Sequence, residues 1–60
     1  MYKIVYLFDS ESELYASRRT TYAFDRESAF ILCDILYKSS NVFSVTLYDE
    51  YLHIIKIWGD

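Results

Sequence analysis

Apolar positions alternate with a period of two along most of the chain and switch once to a helical period. Tyr2 to Phe8 (YKIVYLF) is rich in β-branched and aromatic types, which suit a pleated surface. Its two sides, Tyr2/Ile4/Tyr6/Phe8 and Lys3/Val5/Leu7, are both largely apolar, which predicts an interior strand. Asp9 to Glu13 (DSESE) predicts an acidic loop. Tyr15 to Tyr22 (YASRRTTY) predicts a second strand, and its charged Arg18 and Arg19 place it at an edge. Val42 to Tyr48 (VFSVTLY) alternates cleanly, and Tyr51 to Trp58 (YLHIIKIW) predicts the last strand. Asp49-Glu50 between them reads as a two-residue turn, though without the Gly such turns prefer.

The helical period falls between the second and third strands. Asp25 is a good N-cap, because its carboxylate accepts from the free N–H groups of a first turn. Phe24 before it is placed to staple back on Ala29. The spacing predicts a helix from Arg26 to Lys38, with Glu27 and Lys38 suiting its positive and negative ends. Ser39-Ser40-Asn41 ends it, with Asn41 able to take a left-handed conformation. Residues 1–60 thus read as a single ββαββ domain of the α+β class. The expected sheet is four-stranded and mainly antiparallel, in the order 2-1-4-3, with one helix on one face. Strands one and four are the most apolar and are placed centrally, which makes that central pair parallel.

A two-residue turn would set Val45 opposite Ile54 and Phe43 opposite Lys56. The helix-covered face is then Phe43, Val45, Leu47, Leu52 and Ile54, with Lys56 and Trp58 toward one end and Val5 and Leu7 alongside. The other face carries Val42, Ser44, Thr46, Tyr48, Tyr51, His53, Ile55 and Ile57, joined by Tyr2, Ile4, Tyr6 and Phe8. One helix covers one face only, so this second face is expected to stand open as an aromatic and aliphatic patch of the kind that marks an interaction site. The helix adds to it. Ala29, Leu32, Cys33 and Leu36 form its central stripe, but Ile31 and Ile35 widen that stripe on one flank and Phe30 and Tyr37 on the other, more than one sheet face absorbs.

Composition narrows the class. Apolar residues make up 53% and aromatic residues 20%, too many for a disordered chain. No apolar run reaches membrane-spanning length, so no membrane partner is expected, and the N-terminal run is too short for a signal-peptide core. A single Cys excludes a disulfide framework, and for a chain this small without disulfides self-association or tight packing on a partner is the cheapest remedy. The net charge of −3 argues against nucleic acid.

Candidate chemistry is sparse. His53 has no second His or Cys at ligand spacing, so no metal or other cofactor is expected, and a hydrogen bond to Thr46 accounts for it. Cys33 on the core stripe reads as a small hydrophobe rather than a nucleophile. Asp9, Glu11 and Glu13 lack the Gly and carbonyl spacing of a calcium loop. Arg18 and Arg19, flanked by Tyr15 and Tyr22, are the best candidates for polar or ligand contact, but neighbours on a strand point to opposite faces and cannot grip one phosphate together. No set of acid, base and nucleophile points to an enzyme. Tyr48, Tyr51, His53, Ile55, Ile57, Trp58, Phe30, Ile31 and Tyr37 are the interface candidates.

The stretch from Tyr22-Ala23-Phe24-Asp25 through Ala29 to Asn41-Val42-Phe43-Ser44-Val45-Thr46-Leu47-Tyr48-Asp49 resembles the strand–helix–strand core of small ββαββ proteins of bacteria, phages and mobile elements. Some small phage proteins are anti-defence inhibitors that bind a host immune protein or sequester its nucleotide signal. The resemblance implies an inhibitor-type function, and with the composition of a soluble intracellular domain the expected location is the cytoplasm, that of the host if the chain is a phage protein. The sequence therefore leads to a small protein-binding module without enzymatic activity, a homodimeric inhibitor of a larger host protein. A sponge for a nucleotide-like ligand in a dimer cleft and a nucleic-acid-binding regulator are the alternatives.

Overall fold

The computed structural model describes residues 1–9, 17–39 and 41–59. The elements run β1 (Tyr2–Phe8), β2 (Ser17–Ala23), α1 (Arg26–Tyr37), β3 (Val42–Tyr48) and β4 (Ile54–Trp58). This is the ββαββ α+β architecture that the hydrophobic periods predict. The expected start of β2 at Tyr15, Glu11 and Glu13 of the acidic loop, Ser40 and Asp60 lie outside the described residues.

The sheet order is β2-β1-β3-β4, and every neighbouring pair is antiparallel. The expected order 2-1-4-3 is corrected. It required a parallel central pair, which is the slightly weaker ladder. β1 instead pairs along its length with both β2 and β3, whereas β4 is short and sits at the edge. β2 and β3 are parallel to each other with β1 between them, so α1 crosses over β1 in joining them.

Register decides the faces. Ile4 lies opposite Leu47 and Tyr6 opposite Val45, so the even residues of β1 share a face with the odd residues of β3. That face lies under the helix. Ile4, Ala29, Cys33, Val45 and Leu47 are fully buried there, Ala23 closes one side, and Tyr2, Tyr6, Phe30, Leu36 and Trp58 pack around them. The placement of Tyr2, Ile4, Tyr6 and Phe8 on the open face, and of Val5 and Leu7 beneath the helix, is thereby corrected. Covering the larger set of side chains removes more apolar area from water.

Two bulges and one loop change the rest. Leu7 faces Ser44 while Phe8 faces Val42, which leaves Phe43 as the extra residue of β3. Val42 therefore packs against the core and Phe43 is exposed, the reverse of expectation. Leu47 faces Lys56 while Tyr48 faces Ile54, which leaves Ile55 as the extra residue of β4. Ile55 packs toward the core, and Ile54 is exposed.

The turn between β3 and β4 is longer than Asp49-Glu50. The Asp49 N–H donates to the His53 carbonyl (2.9 Å) and the Leu52 N–H to the Asp49 carbonyl (3.0 Å), enclosing Glu50, Tyr51 and Leu52. Asp49 Oδ1 accepts from the N–H groups of Tyr51 (2.9 Å) and His53 (2.8 Å). This carboxylate does what a Gly-containing turn does through backbone freedom. Leu52 takes the left-handed position at φ 66°, where Gly or Asn is preferred, and its side chain points away from the core. β4 consequently starts at Ile54, and Tyr51, Leu52 and His53 are loop residues. The register slides so that Val45 meets Trp58 rather than Ile54. A slide by four residues preserves the alternation, which keeps Trp58 on the helix side as expected.

The helix start is as its sequence predicts. Asp25 is the N-cap, and its Oδ1 accepts from the Ser28 N–H at 2.7 Å. The Phe24 staple is absent, the ring being 84% exposed. At the other end the N–H groups of Lys38 and Ser39 donate to Asp34 and Leu36. Leu52 is the one described non-glycine residue with positive φ, so Asn41 does not supply a left-handed cap.

Candidate functional site

Cross-strand pairing orders the uncovered face into three rows. Tyr22, Lys3, Tyr48 and Ile54 form the first. Thr20, Val5, Thr46 and Ile57 form the second, and Arg18, Leu7 and Ser44 the third. Val5 is buried although no helix lies above it, because Thr20 and Thr46 flank it on both sides. Tyr22, Ile54 and Ile57 are each more than half exposed. The charges in these rows are the cations Lys3 and Arg18, and no carboxylate stands among them. In a chain of net charge −3 this is a separation of charge. The face offers apolar and hydroxyl area edged by two positive groups.

Of the interface candidates, Tyr48 and Ile57 lie on this face. Tyr51 and His53 lie in the exposed loop at its end, their rings 6.5 Å apart. The expected pairing of His53 with Thr46 is corrected, since Thr46 faces Ile57. His53 Nδ1 instead stands 3.7 Å from Asp49 Oδ2 in a solvated position. Ile55, Trp58 and Phe30 belong to the other side. Phe30 and Trp58 meet edge to face at 5.6 Å, Lys56 stacks over Trp58 at 5.0 Å, and Arg26 over Phe30 at 5.5 Å. Ile31 is exposed beside them and lines a shallow hollow of about 280 Å³ with Asp34 and Lys56. Tyr37 lines a hollow of about 640 Å³ with Leu7, Phe43 and Ser44 at the end of the sheet.

The polar candidates divide as strand alternation requires. Arg18 is on the uncovered face with Tyr22, and Tyr15 lies outside the described residues. Arg19 is on the helix side, its guanidinium 5.4 Å from the centre of the Phe8 ring. With Tyr6, Phe8, Leu36, Ser39 and Asn41 it lines a hollow of about 310 Å³. The helix ends here, so the negative pole of its dipole faces the hollow and opposes an anion that Arg19 would attract. Cys33 is fully buried, and loss of water around it pushes its thiol up to about 11. Such a thiol is a poor nucleophile at neutral pH. Among the described residues no three His, Cys, Asp or Glu side chains gather as a metal site, and no helix is long and apolar enough to cross a membrane.

Sequence reasoning missed Lys3, which a tyrosine flanks on each neighbouring strand. The signal was available only through register, because Tyr22, Lys3 and Tyr48 are far apart in the chain. The chain matches no family model, no curated protein and no solved structure.

Proposed function

We propose that this chain is a small protein-binding module without enzymatic activity, that it works as a homodimer, and that it inhibits a larger protein through the uncovered face of its sheet. The observation that carries this reading is the set of rows Tyr22–Lys3–Tyr48–Ile54 and Thr20–Val5–Thr46–Ile57. Apolar area with tyrosines and a cationic rim fits a partner with an apolar centre and acidic surroundings. The homodimer follows from size. Among the described residues five fully buried side chains form a small core, and a chain of this length with a single cysteine gains from a second subunit.

The test compares partners captured by the wild-type chain, by a Tyr48→Ser/Ile57→Ser variant and by an Ile35→Ser variant on the helix. Proteins retained by the wild type and the helix variant but lost from the face variant support the reading. Equal capture by all three overturns it.

A second reading is favoured by one observation, the two tyrosines and two cations on a single sheet face. Such a face can stack the bases of a single strand. Binding of a labelled oligonucleotide that weakens steeply with salt would support it. The nucleotide-sponge reading has less in its favour, since Arg18 and Arg19 lie on opposite faces and the helix C-terminus opposes an anion at Arg19.

A further inference from the structure

We propose that the homodimer forms by antiparallel pairing of β2 with β2 of a second copy, centred on Thr20, so that two sheets join into one of eight strands. The inference rests on the homodimer reading above and adds which surface makes the contact. Both β2 and β4 are edge strands, and among the described residues no strand lies beyond either. They differ in what a two-fold axis would do to them. β4 has Lys56 at its middle. The symmetric antiparallel pairing that uses the whole strand is centred there and sets Lys56 against Lys56 of the second copy, like charges directly opposite being destabilising, while a shift to Ile55 or Ile57 leaves only three residues of this short strand to pair.

β2 is self-complementary. Centred on Thr20, the pairing sets Arg18 opposite Tyr22 of the second copy, and this happens twice. It also sets Arg19 opposite Thr21, and Thr20 opposite itself. Each arginine then lies directly opposite a neutral residue, and Arg18 faces an aromatic ring on its own face, a cation–π arrangement. Arg18 and Tyr22 are both exposed in the single chain. A slide that centres the pair on Arg18 or Arg19 opposes that arginine to itself, and one that centres it on Thr21 leaves Ser17 and Arg18 unpaired, so Thr20, the middle of Ser17–Ala23, is the register that pairs the whole strand without opposing like charges. An isologous contact of this kind closes at two copies. It also places the two uncovered faces side by side, which doubles the surface proposed for the partner. The edge is about 23 Å long, which is a small contact, so a micromolar Kd is expected.

The decisive measurement is a zero-length cross-link. Thr20→Cys places two thiols on the axis, where paired strands hold Cα atoms within disulfide reach. Cys33 is buried and does not compete. The proposal expects a two-chain mass for the wild type by light scattering at about 100 µM, near where a micromolar Kd saturates. It expects rapid disulfide formation by Thr20→Cys under mild oxidation, and at least tenfold weaker association for Thr20→Lys. Ile57→Lys, on the same face at the opposite edge, should leave the dimer intact. A single-chain mass for the wild type overturns the homodimer reading and this inference with it. A two-chain mass with no Thr20→Cys cross-link, or with dissociation by Ile57→Lys alone, keeps the dimer and overturns the β2 contact. Circular dichroism of each variant separates loss of association from loss of fold.

Discussion

The two faces of this sheet are built from strands of similar apolar content, yet only one becomes a core. Under the helix the rows carry the bulkier groups, Ile4, Tyr6, Val45, Leu47 and Trp58, and the helix supplies Ala29 and Cys33 as small residues that let it approach closely. On the bare side the rows mix Thr, Ser, Lys and Arg with Val5, Leu7 and the tyrosines. Lateral neighbours alone are enough to bury Val5 in the sheet centre, but they leave the edges of the face open. Burial in a small sheet thus has two sources, a layer above and flanking side chains beside, and only the first reaches the edges.

The sharpest way to break this comparison is to shorten one side chain on each face. Leu47→Ala removes a fully buried group and leaves a cavity, at an expected cost of about 2–5 kcal/mol. In a domain of this size that takes away much of the stability. Ile57→Ala, half exposed on the bare face, should change stability by less than about 0.5–1 kcal/mol. Urea midpoints of the two variants check the contrast, and equal losses would mean that the bare face carries as much of the core as the covered one. Cys33 gives an independent readout. Its thiol should resist alkylation in the wild type and react readily in Leu47→Ala.

That contrast also marks how far the sequence could be read. The alternation in Val42 to Tyr48 and the N-cap at Asp25 are local signals, and both elements form where those signals place them. The side of β1 that faces the helix is not local. Both sides of YKIVYLF are apolar, and only pairing with β3 selects Tyr2, Ile4 and Tyr6. The open face was legible as an expectation that one would exist, with Ser44, Thr46, Tyr48 and Ile57 on it. Its β1 residues are Lys3, Val5 and Leu7 rather than the expected even set, and Lys3 stands between two tyrosines only through register. The bulges at Phe43 and Ile55 leave no mark in a period-two pattern, since each inserts one residue without changing composition. The Asp49 loop departs from the expected two-residue turn for a chemical reason. A carboxylate accepting two N–H groups replaces the glycine that the expected turn lacked.

The loop offers a smaller effect, of opposite sign. Leu52 holds φ 66° with an exposed side chain, so it bears the left-handed penalty and returns little packing. Leu52→Gly should stabilise the domain by about 1 kcal/mol, less the extra backbone freedom glycine brings to the unfolded chain. A higher urea midpoint with an unchanged slope is the expected result. A lower midpoint would show that Leu52 contributes apolar cover to the end of the bare face.

The smallest effect concerns the layer that makes the two faces unequal. Asp25 starts the helix, and the Ser28 N–H bonded to its carboxylate lowers its pKa below the ordinary 3.8. A carboxylate with a depressed folded pKa binds its proton later in the folded than in the unfolded chain. Its contribution is therefore fully present above about pH 4 and is lost as pH falls through the folded value. Asp25→Asn keeps an acceptor for the Ser28 N–H but cannot titrate. Its stability should fall less steeply than that of the wild type on the acid side of pH 4, and the two should run parallel at neutral pH. Asp25→Ala should be weaker than both at neutral pH, because the first turn loses its cap. If Asp25→Asn followed the wild type through the whole acid range, the cap would hold the helix by geometry alone. Its charge would then have no part in keeping the covered face covered.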